Sequence, residues 1–191
     1  MRLFVALDFP EAVRASVRDL IARLRPLSSG VRWARPEGMH VTLKFIGETD
    51  PVKLDAIHAA LGSVHSVQTV EMQFRGLGFF PHERKPRVLW CAVESSSNLA
   101  ALAAQIDSAL EAAGSPRESR AFVPHLTLAR FDSHKGLKGA EKLVSAAEEL
   151  KSYEFGAARE SEFYLYQSVL KPSGAEYKRL AAFPFVRDSQ R

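Results

Sequence analysis

The sequence predicts an α+β fold: two pseudo-twofold-related lobes, each a mostly antiparallel sheet flanked by helices, with a central cleft. Three observations lead there. A strand-like run, a helix-like stripe and a second strand occur twice in the same order. The spacing across that unit is identical both times. No low-complexity linker separates the copies, so one two-lobed domain is expected over residues 1–191, with copies beginning near 2 and 87.

The first copy opens with Arg2-Leu3-Phe4-Val5-Ala6-Leu7, a buried strand. Pro10 suits a first helical turn, and Val13, Val17, Leu20, Ile21 and Leu24 recur at helical spacing. Ser28-Ser29-Gly30 breaks the helix. A strand follows from Met39 to Ile46, ended by Gly47. In the second copy Arg87 to Val93 is the strand and Ser95-Ser96-Ser97 offers N-caps. Leu99, Leu102, Ala103, Ile106 and Leu110 make the helical stripe, and Gly114 stops it. Phe122 to Leu128 is the next strand. Each copy then finishes with a helix, Pro51 to Leu61 and Leu137 to Leu150, and with extended runs, Gln68 to Phe79 and Tyr153 to Leu170. Tyr177 to Phe183 adds an edge strand, and Arg187 to Arg191 is a polar tail.

The register of the copies agrees. Arg2 to His40 spans 38 positions, and so does Arg87 to His125, so one offset of 85 lays strand, helix and second strand on their counterparts.

Composition narrows the function classes. Apolar residues make up 46% and charged residues 25%, as in a soluble globular protein with a real core. No apolar run is long enough to span a bilayer, and the N-terminal run meets Asp8 and Pro10 too soon for a signal peptide. A cytoplasmic, membrane-free monomer is the expectation. Cys91 is the single cysteine, which excludes a disulfide framework and a cysteine-based zinc site. It sits in an apolar strand and reads as a buried thiol rather than a nucleophile. The net charge of +4 suits a phosphate-bearing partner without requiring one.

The chemistry lies in two matching tetrapeptides, His40-Val41-Thr42-Leu43 and His125-Leu126-Thr127-Leu128. Residues two apart on a strand share a face. His40 and Thr42 therefore point one way, with Val41 and Leu43 behind, and His125 and Thr127 repeat the arrangement. A pseudo-twofold brings four polar side chains to one cleft. That set suits in-line displacement at a phosphodiester, which needs a base on one side of phosphorus and an acid on the opposite, leaving oxygen. Histidine can be either near neutral pH, and the threonine hydroxyls can donate to the non-bridging oxygens. Two buried core histidines would be the bland alternative, but it leaves four polar groups seeking partners.

The pair of His-apolar-Thr-apolar motifs resembles the two-histidine phosphoesterase superfamily. With Arg2-Leu3-Phe4-Val5-Ala6-Leu7-Asp8, Met39 to Glu48, Pro86-Arg87-Val88-Leu89-Trp90 and Pro124 to Arg130, the chain is similar to the RNA 2′,3′-cyclic phosphodiesterases, also called 2′–5′ RNA ligases. The resemblance implies hydrolysis of 2′,3′-cyclic phosphate RNA ends, tRNA fragments among them, to 2′-phosphomonoesters. It also implies reversible, ATP-independent 2′–5′ joining, no metal and no cofactor, and it makes His40 the acid and His125 the base. The alternatives are a phosphodiesterase for small cyclic nucleotides, an enzyme trimming RNA 3′ ends, and a non-catalytic nucleotide- or RNA-binding module.

Two cations flank the motifs. Arg130 is commonly arginine in such proteins. Strict alternation turns it away from His125, so it reaches phosphate only if the strand ends or bulges after Ala129; otherwise it makes a surface ion pair. Lys44 shares the face of His40 and Thr42 and is expected to add positive charge to the cleft. Trp33, beside Arg32 and Arg35, serves either a base-binding rim or packing. The basic loop His82 to Arg87, after Phe79 and Phe80, either tracks a nucleic-acid backbone or is a solvated loop with core phenylalanines. His58, His65 and His134 read as surface residues without metal-ligand spacing. Lys53-Leu54-Asp55-Ala56 lacks the glycine of a nucleotidyl-lysine ligase motif, and no Gly-x-x-x-x-Gly-Lys loop occurs, so nucleotide energy is not used.

Overall fold

The computed structural model describes residues 1–65, 68–131, 140–172 and 174–185. Its elements are β1 (Arg2–Leu7), α1 (Glu11–Leu24), β2 (Val31–Trp33), β3 (Val41–Glu48), α2 (Leu54–Gly62), β4 (Val70–Phe80), β5 (Val88–Ser95), α3 (Ser97–Ala112), β6 (His125–Phe131), α4 (Ala140–Glu149), β7 (Glu154–Glu160), β8 (Glu162–Lys171) and β9 (Gly174–Pro184). The expectations for residues 137–139, for His134 and for the tail from Arg187 lie outside the described residues. No described helix is long and apolar enough to cross a membrane.

The strands form two antiparallel sheets. One has the order β3-β1-β8-β9, the other β2-β6-β5-β4-β7. The α+β, two-sheet expectation is met, but the lobes are not the chain halves. The C-terminal hairpin β8–β9 completes the first sheet, and β2 and β4 from the first half join the second. The run Tyr153–Leu170, read as one extended stretch, is two strands in different sheets. They part at Ser161, whose carbonyl accepts from Phe185 N–H at 2.7 Å.

β1 is apolar from Leu3 to Leu7 because both its faces are covered there. Leu3, Val5 and Leu7 join the core with Val13, Val17, Leu20, Ile21 and Leu24 of α1, while Phe4 and Ala6 face the cleft; all five strand residues are buried. The stripe of α3 buries Leu99, Leu102, Ala103, Ile106 and Leu110 in the same cluster. Ser96 occupies the N-cap position of α3 but makes no side-chain cap bond. Gly114 ends the helix at φ +83°, its N–H donating to the Glu111 carbonyl.

Strand pairing corrects the sequence register in two ways. Thr42 sits opposite Ala6, and Thr127 opposite Trp90. The motif strands β3 and β6 therefore correspond at the offset of 85, but β1 and β5 correspond at 84, and the helical connection absorbs the difference. Second, each motif strand carries a bulge at the same place. Val5 pairs with Lys44 and Ala6 with Thr42, leaving Leu43 unopposed; Leu89 pairs with Ala129 and Trp90 with Thr127, leaving Leu128 unopposed. A further irregularity lies between Leu3–Gly47 and Phe4–Phe45, where Gly47 takes φ +88°. The strand continues to Glu48 rather than ending at Gly47.

Candidate active site

Residues directly opposite in an antiparallel pair share a face, so the registers define the cleft. On the first sheet Thr42 lies level with Ala6 and Phe45 with Phe4. On the second, His125 lies level with Ala92, Thr127 with Trp90 and Arg130 with Val88. The His40 ring stacks on Phe4 with centroids 4.4 Å apart, which puts it over the same face as Thr42. The two histidines are close enough for the charge of His125 to act on His40.

The bulges decide the two flanking cations, each against the expected alternation. One unopposed residue inverts every side chain beyond it. Lys44 consequently turns away from His40 and Thr42 and is buried at 5% exposure. Its Nζ donates to Asp107 Oδ1 on α3 (2.5 Å) and to the Pro116 carbonyl (2.6 Å), and it adds no charge to the cleft. Burial works against the Asp107 carboxylate, but Lys44, the Glu118 N–H and Arg117 outweigh it and hold its pKa below the usual range. Arg130 turns the other way, onto the face of His125, because the bulge falls at Leu128. It makes no surface ion pair among the described residues, and its charge reaches His125. The slot that Arg130 fills on β6 is filled on β3 by Phe45, which is 53% exposed.

Each histidine is held through Nδ1. His40 Nδ1 lies 2.9 Å from the Gly38 carbonyl, and His125 Nδ1 lies 2.8 Å from the Val123 carbonyl. A carbonyl only accepts, so both rings carry hydrogen on Nδ1 and leave Nε2 for a reacting group. The turn before His40 is clamped from α1. Arg14 Nη1 donates to the Pro36 (2.7 Å) and Met39 (3.1 Å) carbonyls, while its Nη2 pairs with Asp8. Asp8 also receives Arg179 Nη2 at 3.0 Å, and that guanidinium lies 3.7 Å from the Tyr164 ring centroid.

Aromatic rings wall both histidines. Tyr177 stands edge-on to His40 at 5.0 Å and Tyr166 stacks on Phe4 at 5.2 Å. Phe80 stands edge-on to His125 at 5.0 Å and stacks on Trp90. Trp90 can lie there because its neighbour is Gly78; a Cβ at that position would come within 2.4 Å of the indole. Beside His40 opens a cavity of about 310 Å³, lined by Asp8, Arg14, Arg35, Glu37, Tyr166 and Tyr177 among others. Sequence reasoning passed over Arg14, Tyr166, Tyr177 and Trp90 because they come from elements whose neighbours are set only by the fold.

The remaining candidates resolve simply. Phe79 packs against the core and Phe80 faces the cleft, as alternation requires, while Arg84, Lys85 and Arg87 are exposed. Trp33 is opposite Ala129 and packs against the core. His58 lies against Phe183 and His65 is exposed. Cys91 is fully buried and its thiol is pushed up to about 12 by that burial, so it is no nucleophile at neutral pH. Among the described residues no group of three or more His, Cys, Asp or Glu could hold a metal ion.

Burial pushes the His40 imidazole down to about 4, with Arg14 and His125 adding to the effect; the Gly38 carbonyl and Asp8 oppose it. Burial also lowers His125, helped by Arg130 and opposed by the Val123 carbonyl. Both rings thus give up their protons below the ordinary ~6.5. If one ring must be charged and the other neutral, the singly protonated pair dominates between two values that both lie on the acid side, and the form with the proton on His40 is a constant, minor fraction of it. A kcat/KM profile should be bell-shaped, best below pH ~6.5 and falling as pH rises through neutrality. Bound phosphate raises both values, so the kcat optimum should lie at higher pH than that of kcat/KM. An upper limb of kcat/KM above pH ~7.5 would contradict this account.

Comparison with known proteins places the chain. The family model of the 2′-5′ RNA ligase superfamily matches residues 9–165. The chain is 34% identical over 183 residues to a protein of Archaeoglobus fulgidus named RNA 2′,3′-cyclic phosphodiesterase, covering 96% of this chain and 99% of that one. A protein of the same name from Methanothermobacter thermautotrophicus is 33% identical, covering 96% and 98%. A solved structure from Thermus thermophilus superposes with TM-score 0.78 at 30% identity, over 98% of this chain and all of that one. The chain belongs to the 2′-5′ RNA ligase superfamily, and it is an enzyme of that family.

Proposed function

We propose that this enzyme opens 2′,3′-cyclic phosphate ends of RNA to 2′-phosphomonoesters, with His40 as acid and His125 as base. The observation that carries the proposal is the paired site: two Nδ1-anchored histidines and two threonines on the facing surfaces of two sheets. The names of the relatives supply the substrate class. In this reading the cyclic phosphate lies between the two motifs. Thr42 and Thr127 donate to its non-bridging oxygens, where charge builds up. His125 Nε2 takes a proton from water as the oxygen attacks phosphorus. The bond to the 3′ oxygen breaks opposite, and His40 protonates that oxygen. Arg130, on the face of His125, adds positive charge to the side of the cleft.

Run with a 5′-hydroxyl of RNA in place of water, the same steps form a 2′–5′ bond. No ATP is needed because the ring-opened ester replaces one phosphodiester bond by another. The aromatic walls and the absence of a phosphate-binding glycine loop favour RNA ends over triphosphates as substrate. We place this activity on RNA in the cytoplasm.

The test is incubation of a cyclic-ended oligoribonucleotide and of a 2′,3′-cyclic mononucleotide with purified protein, in excess EDTA. Both should be converted, and the product should carry phosphate on the 2′ oxygen. A 3′-phosphate product would reverse the proposed geometry. Loss of turnover in EDTA, restored by a divalent ion, would remove the two-histidine mechanism. Tight binding without conversion would favour the binding-module alternative.

A further inference from the structure

The row of cleft-facing residues that crosses the second sheet through Arg130 contains a feature the chemistry above leaves unused. β2 pairs with β6 over three residues, with Val31 opposite Phe131, Arg32 opposite Arg130 and Trp33 opposite Ala129. Val31, Trp33 and Phe131 pack against the core. Arg32 is therefore turned to the other face, level with Arg130, and both are exposed. Continuing the row, Arg130 is opposite Val88 and Val88 is opposite Phe80, whose ring reaches His125.

Two like charges directly opposed on neighbouring strands disfavour the sheet. Neither guanidinium has an ion-pair partner among the described residues, and β2 is too short to gain much from its pairing. The corresponding row on the first sheet holds Phe45, Phe4, Tyr166 and Arg179, and there Arg179 is neutralised by Asp8. Among the described residues, the second sheet presents a cation pair with no ion-pair partner, at the side of the cleft. What suits two guanidinium groups on directly opposed residues is an anion that both can grip, and phosphate matches the guanidinium fork. Phe80 at the other end of the row offers an aromatic face, the combination that holds a single-stranded backbone.

We infer that Arg32 and Arg130 together form a subsite for a second RNA phosphate, that of the nucleotide adjoining the cyclic end. The inference rests on the reading of the site as one for RNA ends. It makes the enzyme selective for cyclic-ended chains over cyclic mononucleotides, and it gives Arg32 a binding role without any part in the bond-breaking step.

The test compares wild type and Arg32→Gln on a 2′,3′-cyclic mononucleotide and on a cyclic-ended trinucleotide. Wild type should prefer the trinucleotide. Arg32→Gln should raise KM for it roughly 10- to 100-fold with kcat little changed, as loss of one charge-assisted contact implies. It should leave the mononucleotide unaffected. The dependence of log KM on log salt should become shallower by about 0.7, as for one single-strand phosphate contact. The melting temperature should stay level or rise, since a like-charge pair is relieved, so a folding defect cannot imitate the result. Equal effects on both substrates, no effect on the trinucleotide, or an unchanged salt slope would overturn the inference. Failure of wild type to convert either substrate would instead overturn the reading of the site.

Discussion

His40→Ala and His125→Ala should each lose about a hundred- to ten-thousand-fold in kcat/KM, the usual worth of one positioned acid or base. The proteins should nevertheless fold, because neither imidazole belongs to the apolar cluster that spans both sheets. Each ring instead rests on the cleft side, against Phe4 or Phe80. The two losses should not multiply. Once one imidazole is gone the other has no partner reaction to assist, so the double variant should be scarcely slower than the worse single one. Full multiplication in the double variant would mean that the histidines act independently.

Thr42→Val and Thr127→Val should each lose roughly a hundred- to a thousand-fold in kcat, the loss seen when one donor to a developing oxyanion is removed. KM should move little, since the hydroxyls matter most as charge builds up. Valine keeps the β-branched shape that suits a strand, so the change isolates the hydroxyl. Thr42 and Thr127 are opposite Ala6 and Trp90, and the bulky indole confines Thr127 more than Ala6 confines Thr42. Valine variants with unchanged kcat would show that the hydroxyls point away from the phosphate.

Much of this molecule was legible as sequence, for identifiable reasons. The strands and helices of both copies follow from local apolar periodicity. The His-x-Thr pairs follow from the alternation of a strand over two residues, a distance too short for error to accumulate. Beyond that distance the alternation fails. Lys44, expected in the cleft, is buried against Asp107; Arg130, left open between the cleft and a surface ion pair, shares the face of His125. One bulge per motif strand, at Leu43 and at Leu128, breaks the strict alternation for both. A bulge is fixed by how the neighbouring strand pairs, and no side-chain pattern announces it.

The wall of Tyr166 and Tyr177 was hidden for a related reason. These residues come from a C-terminal hairpin that docks beside β1, across most of the chain length. The clamp of Arg14 on the Pro36 and Met39 carbonyls was hidden too, because its acceptors are backbone atoms, which sequence does not distinguish. The offset of 85 succeeded for the motif strands and missed by one for β1 and β5. Ala6 lies 36 positions before Thr42 and Trp90 lies 37 before Thr127, so the second copy's helical connection is one residue longer, and matching Arg2 to Arg87 concealed it.

The division of labour between the histidines is the centre of the account, and a change of leaving group tests it most directly. A substrate whose 3′ leaving group is made far more acidic needs little protonation as its bond to phosphorus breaks. With His40 as acid and His125 as base, that substrate should restore most of the kcat/KM lost in His40→Ala. It should leave His125→Ala nearly as impaired as on the natural ester. Restoration of His125→Ala and not His40→Ala, or equal restoration of both, would contradict the account.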